Sequence, residues 1–244
     1  MRKAMLIRNE PDDNFGLAPE AFRAAGLEVL AIDAWDEGRV WPPLEDVSAI
    51  AVFGGAMNCD QVDMHPFLAE ERSLLAVAVE ADVPVLGVCL GAQLLVRAFD
   101  RQVFPSVRPE LGFPEIRMVQ AARPDPVLGG LPPRVRFFQW HQDAFREPPG
   151  ATVLALGHQG EVQAFRSGSA WGVQFHPEVT ADELRRWFAG AEASFGAVWG
   201  RERSDLEAEV AEHLPSAGRH GQDVLRRFAR FVRDRSDPAS GSPA

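Results

Sequence analysis

In the run Val83-Pro84-Val85-Leu86-Gly87-Val88-Cys89-Leu90-Gly91-Ala92-Gln93-Leu94-Leu95-Val96, a cysteine stands between two glycines where the hydrophobic pattern changes period. The residues before it form a short apolar, β-branched run, the mark of a strand buried on both faces. The residues after it, Leu90 to Phe99, contain no proline and place apolar side chains at helical spacing. Gly87-x-Cys89-x-Gly91 is thus the sequence form of a nucleophile elbow. A sharp strand-to-helix turn crowds the backbone, and a glycine on either side removes the Cβ that would clash. The turn presents its central side chain at the carboxyl end of the sheet, on the first turn of a helix. Unpaired N–H groups and the positive end of the helix dipole favour a thiolate there. A merely buried cysteine is the bland alternative, but it gives no reason for the flanking glycines.

The segments around this run set the fold class. Ala4 to Arg8 reads as a strand, Leu17 to Ala25 as a helix ending at Gly26, and Leu27 to Ile32 as a second strand. A loop with Pro42-Pro43 leads to the buried strand Ala49 to Phe53, which stops at Gly54-Gly55. A helix then runs from Pro66 to Ala81. The order β-α-β-loop-β-α-β-α predicts an α/β protein with a mostly parallel central sheet and helices on both faces. Ligands of such sheets bind outside the carboxyl ends of the strands, where both Gly54-Gly55 and Cys89 fall.

From Val103 onward the pattern changes to short strands: Glu115 to Val119, Arg134 to Trp140, Thr152 to Leu156, Val162 to Phe165 and Ala170 to Phe175. These predict a small antiparallel layer attached to the main sheet. Beyond it, Thr180 or Asp182 is placed to cap a helix carrying Leu184, Trp187 and Phe188. Two further amphipathic segments follow, one with Leu206 and Val210 and one with Val224, Leu225, Phe228, Phe231 and Val232. Residues 1–190 read as one domain, 191–236 as a helical extension packed on it, and 237–244 as a flexible tail.

Charge and cysteine content exclude several classes. A net charge of −10 disfavours nucleic acid and anionic membrane as partners, because both need a basic surface. Two cysteines, Cys59 and Cys89, make no disulfide framework, and no Cys/His cluster has zinc spacing, so neither metal nor cofactor is expected. The N-terminal residues do not form a signal peptide, and no run approaches the ~18 apolar residues of a membrane span. A reducing cytoplasm is the expected setting.

A cysteine nucleophile needs a base to hold its proton and return it to a leaving group. Among six histidines, His176 is the best placed, since it ends the apolar run Trp171 to Phe175 and precedes Pro177. A residue before proline is biased to an extended backbone. Residues two apart then project to the same side, which brings Glu178 beside His176. A carboxylate there fixes the imidazole tautomer and stabilises the imidazolium. Cys59 lies close to Gly54-Gly55 in sequence, but no such pair accompanies it, so it reads as a bystander.

Gly87-Val88-Cys89-Leu90-Gly91-Ala92-Gln93, followed some ninety residues later by Gly172-Val173-Gln174-Phe175-His176-Pro177-Glu178, resembles the class I (triad-type) glutamine amidotransferases, in particular stand-alone relatives of the GMP synthetase glutaminase domain. The resemblance spans about residues 4 to 190. It implies a flavodoxin-like three-layer sandwich and a catalytic triad of Cys89, His176 and Glu178. It also implies an oxyanion hole from the backbone N–H groups of Gly55 and Leu90. Substrate contacts would come from Gly54, Gln93 and the segment Trp140-His141-Gln142-Asp143. The implied reaction is hydrolysis of the glutamine side-chain amide through a cysteine thioester.

The sequence departs from its relatives at Ala56-Met57, where proline often follows the glycines, and at Gln142, where a small residue is common. It contains neither a Ser-Gly-Gly-x-Asp loop nor a phosphate-binding Gly-x-x-x-x-Gly-Lys loop that could serve an ammonia acceptor. The leading expectation is therefore a glutaminase whose ammonia passes to a separate synthetase chain. The alternative is a γ-glutamyl peptide or γ-glutamyl-amine hydrolase with the same triad. The third reading is a regulatory or binding protein without turnover.

Overall fold

The computed structural model describes residues 2–191 and 194–235; the predicted tail lies outside them. Its first part follows the expected order: β1 (Lys3–Arg8), α1 (Ala18–Ala24), β2 (Glu28–Asp33), β3 (Ala49–Val52), α2 (Phe67–Glu80), β4 (Val85–Val88) and α3 (Leu90–Ala98). After β5 (Val103–Gly112) and β6 (Glu115–Met118) come β7 (Arg134–Arg136), β8 (Gln139–Phe145), β9 (Thr152–Leu156), β10 (Val162–Ser167) and β11 (Ala170–Val173). The chain then forms α4 (Ala181–Ala191) and α5 (Arg203–Arg235).

The main sheet has the order β2-β1-β3-β4-β11-β10-β9-β6-β7. Strands β2, β1, β3, β4 and β11 are mutually parallel; the rest pair antiparallel. β3 and β4 are buried along their whole length, as their unbroken apolar runs require. Two hydrophobic clusters fill the space on the two faces. One joins α1, α4 and α5 through Phe22, Phe188 and Phe228, and the other joins α2 and α3 through Leu68, Leu75 and Leu95.

The fold is the expected α/β sandwich with a small antiparallel sheet and a C-terminal helix, but three features differ in detail. Most of the antiparallel strands extend the central sheet; among the described residues, only β5 and β8 form a separate two-stranded sheet. The run expected as one strand, Arg134 to Trp140, breaks at Phe137-Phe138. There the chain leaves the main sheet for the small one, and Phe137 stacks on Phe175 with ring centroids 4.4 Å apart. The two distal helical segments are a single helix, α5, which continues through Pro215. Its apolar side chains lie on one buried face, and that packing outweighs the backbone hydrogen bond lost at the proline.

Candidate active site

The elbow forms as the sequence requires. Cys89 has φ 51° and ψ −108°, a strained conformation for a residue with a Cβ, and costs of order 1–3 kcal/mol attach to such residues. The flanking glycines are needed for space. A Cβ on Gly87 would stand 2.6 Å from the Gly91 carbonyl oxygen, and one on Gly91 would stand 2.1 Å from that of Val52. Cys89 is tied to the neighbouring strand by its N–H, which donates to the Val173 carbonyl at 2.8 Å.

That neighbouring strand delivers the second half of the site. β11 runs parallel to β4, with Val173 opposite Val88, so the chain leaving β11 passes beside the elbow. Three residues on, the His176 N–H donates to the Phe138 carbonyl at 2.9 Å. The break between β7 and β8 places that carbonyl. His176 Nδ1 lies 2.7 Å from Glu178 Oε1, and both residues are buried. The nitrogen left for Cys89 is Nε2. Gly54 closes the arrangement: a Cβ there would stand 3.0 Å from His176 Cε1 and 3.9 Å from Cys89 Cβ. Burial pulls the His176 pKa down, but Glu178 on one side and Cys89 on the other outweigh it, and the net shift is well upward. The shift favours the charged form of the His176 ring, placed between Glu178 and the Cys89 sulfur.

The backbone of the histidine turn is clamped from outside. The Leu17 N–H donates to the Glu178 carbonyl at 2.9 Å, and Gly16, at φ 49°, leaves room for that carbonyl. Thr180 is the cap of α4. Its Oγ1 accepts from the Glu183 N–H at 3.3 Å, and Glu183 Oε2 accepts from the Thr180 N–H at 3.0 Å. Glu183 Oε1 also accepts from the Gly16 N–H at 2.8 Å, so one carboxylate caps the helix and holds the N-terminal loop. Asp13 is buried close by; burial and then the charge of Glu178 push its pKa up to about 7.

The remaining predicted residues fall into two groups. Gly55 and Leu90 are neighbours, since a Cβ on Gly55 would stand 2.9 Å from Leu90 Cδ2. Leu90 begins α3, where backbone N–H groups lack intrahelical partners. The Trp140 carbonyl lies 4.0 Å from Cys89 Sγ, so the backbone of this segment reaches the cysteine. The side chains beyond it take other directions. His141 Nδ1 meets the Asp143 carbonyl at 2.9 Å, and its Nε2 lies 3.0 Å from both Gln139 Oε1 and Glu110 Oε2. Gln142 is exposed. Asp143 accepts from Asn58 Nδ2 at 2.7 Å and so ties β8 to the loop after Gly54-Gly55.

Gln93 is buried and donates to Gln174 Oε1 at 3.4 Å, while Gln174 Nε2 donates to Cys89 Sγ at 3.6 Å. Sequence reasoning missed Gln174. Its signal was present, because it lies two residues before His176 in an extended run and so shares its side. Trp187 of α4, whose ring centroid is 5.4 Å from that of His176, was read only as a core residue. Cys59 is also buried, and burial pushes its thiol up to about 11, which suits a bystander.

Comparisons with known proteins bear on the family and the fold. The family model "Glutamine amidotransferase class-I" matches residues 20–188. One subunit of the glutamine-hydrolyzing GMP synthase of Pyrococcus abyssi is 31% identical over 205 residues, covering 80% of this chain and 85% of that protein. The protein of the same name from Sulfolobus acidocaldarius is 37% identical over 162 residues, 65% of this chain and 80% of that one. Among solved structures, a glutamine amidotransferase of Thermotoga maritima matches with a TM-score of 0.83 at 27% identity, over 95% of this chain and 98% of its own. Among the described residues, no helix is long and apolar enough to cross a membrane. The chain belongs to the class I glutamine amidotransferases, the cysteine-dependent enzymes of that name.

Proposed function

We propose that this protein hydrolyses the side-chain amide of glutamine through a thioester on Cys89 and supplies the ammonia to a separate acceptor enzyme. The observation that carries this reading is the His176 ring, hydrogen-bonded to Glu178 and lying against a cysteine on a strained elbow. The Cys89 thiolate attacks the amide carbon. The backbone N–H groups of Gly55 and Leu90 receive the oxyanion, where one donor is commonly worth about 2.7–4 kcal/mol of barrier. His176 gives its proton to the departing ammonia, then takes one from the water that releases glutamate. Glu178 holds the ring and balances its charge. Gln174 steadies the thiolate, and Gln93 orients Gln174. The backbone of Trp140 to Asp143, together with Gly54, borders the space left for glutamine. Residues 1–190 form the catalytic domain in this reading, and 191–236 its helical support.

A separate acceptor is supported by the names of the relatives, which are subunits of a glutamine-hydrolysing synthase. The test is release of glutamate by the purified chain, matched by free ammonia when the chain is alone and by ammonia plus aminated product when a candidate synthetase chain and its substrates are added. We expect Cys89→Ala to abolish it. Activity surviving Cys89→Ala would remove the nucleophile assignment. Faster turnover of γ-glutamyl peptides than of glutamine under every condition would move the substrate to that class.

A further inference from the structure

A chain of polar side chains runs from the small sheet to the segment bordering the glutamine space. Glu110 of β5 accepts on Oε2 from Gln163 Nε2 of β10 at 2.7 Å. Gln163 Oε1 accepts from Gln139 Nε2 of β8 at 2.8 Å. Gln139 Oε1 lies 3.0 Å from His141 Nε2, and Glu110 Oε2 lies at the same distance from that nitrogen. On its other side the ring meets the Asp143 carbonyl, 2.9 Å from Nδ1. Gln139, Gln163 and His141 are buried, and the Glu110 side chain is only 15% exposed, so water does little to relieve a mismatch here.

The direction of every bond follows from the carboxylate. Glu110 takes donors only, so Gln163 presents its amide nitrogen to Glu110 and its oxygen to Gln139. Gln139 then donates to Gln163 and turns its own oxygen to the ring. Reversing either amide would set two oxygens face to face. His141 therefore faces oxygens alone, two at Nε2 and one at Nδ1. A neutral imidazole has one N–H and one lone pair, and either tautomer would press that lone pair against a buried oxygen. An imidazolium donates on both sides, and Glu110 balances its charge. Among the described residues, this ring is the only ion-pair partner of Glu110.

Asp143 connects this chain to the active site. Its carbonyl meets His141, and its carboxylate accepts from Asn58 Nδ2 at 2.7 Å, on the loop after Gly54-Gly55. The same strand carries the Trp140 carbonyl, 4.0 Å from Cys89 Sγ. We propose that His141 is a positioning residue that carries a proton on both ring nitrogens, donating one to the Asp143 carbonyl and the other towards Glu110 and Gln139, and so fixes the Trp140–Asp143 backbone at the edge of the glutamine space. The role in turnover rests on the reading of the protein as a glutaminase; the protonation itself does not.

Two variants separate this role from mere packing, because each keeps one of the ring's two donors. The amide nitrogen of His141→Gln falls near the place of Nε2 and leaves the Asp143 carbonyl without a donor. That of His141→Asn falls near the place of Nδ1 and keeps it. KM for glutamine should rise about tenfold or more in His141→Gln with kcat changed only a few-fold, and His141→Asn should recover most of that rise. A purely structural role would move the two alike, so equal KM values in the two variants would overturn the link to the glutamine space. The proton count is read on the wild-type chain without reference to any activity. In a spectrum of nitrogen-labelled histidine, with His141 identified by the signals that His141→Asn lacks, both ring nitrogens should show the protonated form at neutral pH. A lone pair on either nitrogen would overturn the doubly protonated ring. Failure of the glutaminase reading would appear separately, as activity retained in Cys89→Ala.

Discussion

Exchanging Glu178 for glutamine is expected to lower kcat for glutamine by about a thousandfold or more, with KM changed only a few-fold. Glu178 is buried and its Oε1 lies 2.7 Å from His176 Nδ1. As a carboxylate it fixes the proton on Nδ1, leaves Nε2 to serve the sulfur, and balances the imidazolium. A glutamine that donates its amide to Nδ1 forces the proton onto Nε2, where it blocks acceptance from the cysteine. One that accepts through its oxygen keeps the tautomer but removes the balancing charge. Neither touches the space for the substrate, so the loss belongs to kcat. The fold tolerates the change, because Asp13 and Glu183 stand nearby and removing one negative charge relieves both. Steady-state kinetics and a melting curve on the same preparation check it. A kcat within tenfold of wild type would show that His176 does not depend on Glu178.

Gly221→Ala is expected to have the largest effect on stability. Alanine for glycine inside a helix normally gains about 1 kcal/mol. Gly218 is the matched control, since a Cβ there meets nothing within 4 Å. A Cβ on Gly221, three residues along α5, would stand 1.8 Å from the Pro177 carbonyl oxygen. Either α5 lifts or the His176-Pro177-Glu178 turn shifts. Overpacking of this kind costs about 1–3 kcal/mol, a Tm lower by roughly 3–10 °C for a chain of this size. Because Pro177 joins His176 to Glu178, kcat falls as well. Gly218→Ala should leave both unchanged or raise Tm slightly. Equal behaviour of the two variants would mean that α5 does not brace the histidine turn.

The contrast between these two positions marks what the sequence could reveal. The elbow was legible because its residues lie in one short run, with Gly87 clearing the Gly91 carbonyl inside the bend, although Gly91 itself is needed for clearance from Val52 of β3. His176 and Glu178 were legible because a strand end and a proline fix their shared side. β5 was not, because Pro105 and Pro109 remove two ladder donors and its pairing with β8 shifts register between Pro105 and Glu110. The continuity of α5 was hidden in the same way, since Pro215 reads as a breaker until the packing of Phe228 and Val232 is seen. Gly221 carries no signal in its own segment; its reason lies in Pro177, far away in the chain.

The most direct measurement is the fate of a glutamine-mimicking diazoketone, 6-diazo-5-oxo-L-norleucine, incubated with the full chain and followed by peptide mapping. The account predicts one adduct per chain, on Cys89, with protection by glutamine, no label on Cys59, and strongly slowed labelling in His176→Ala. Labelling of Cys59, or labelling of Cys89 at the same rate with and without His176, would contradict it.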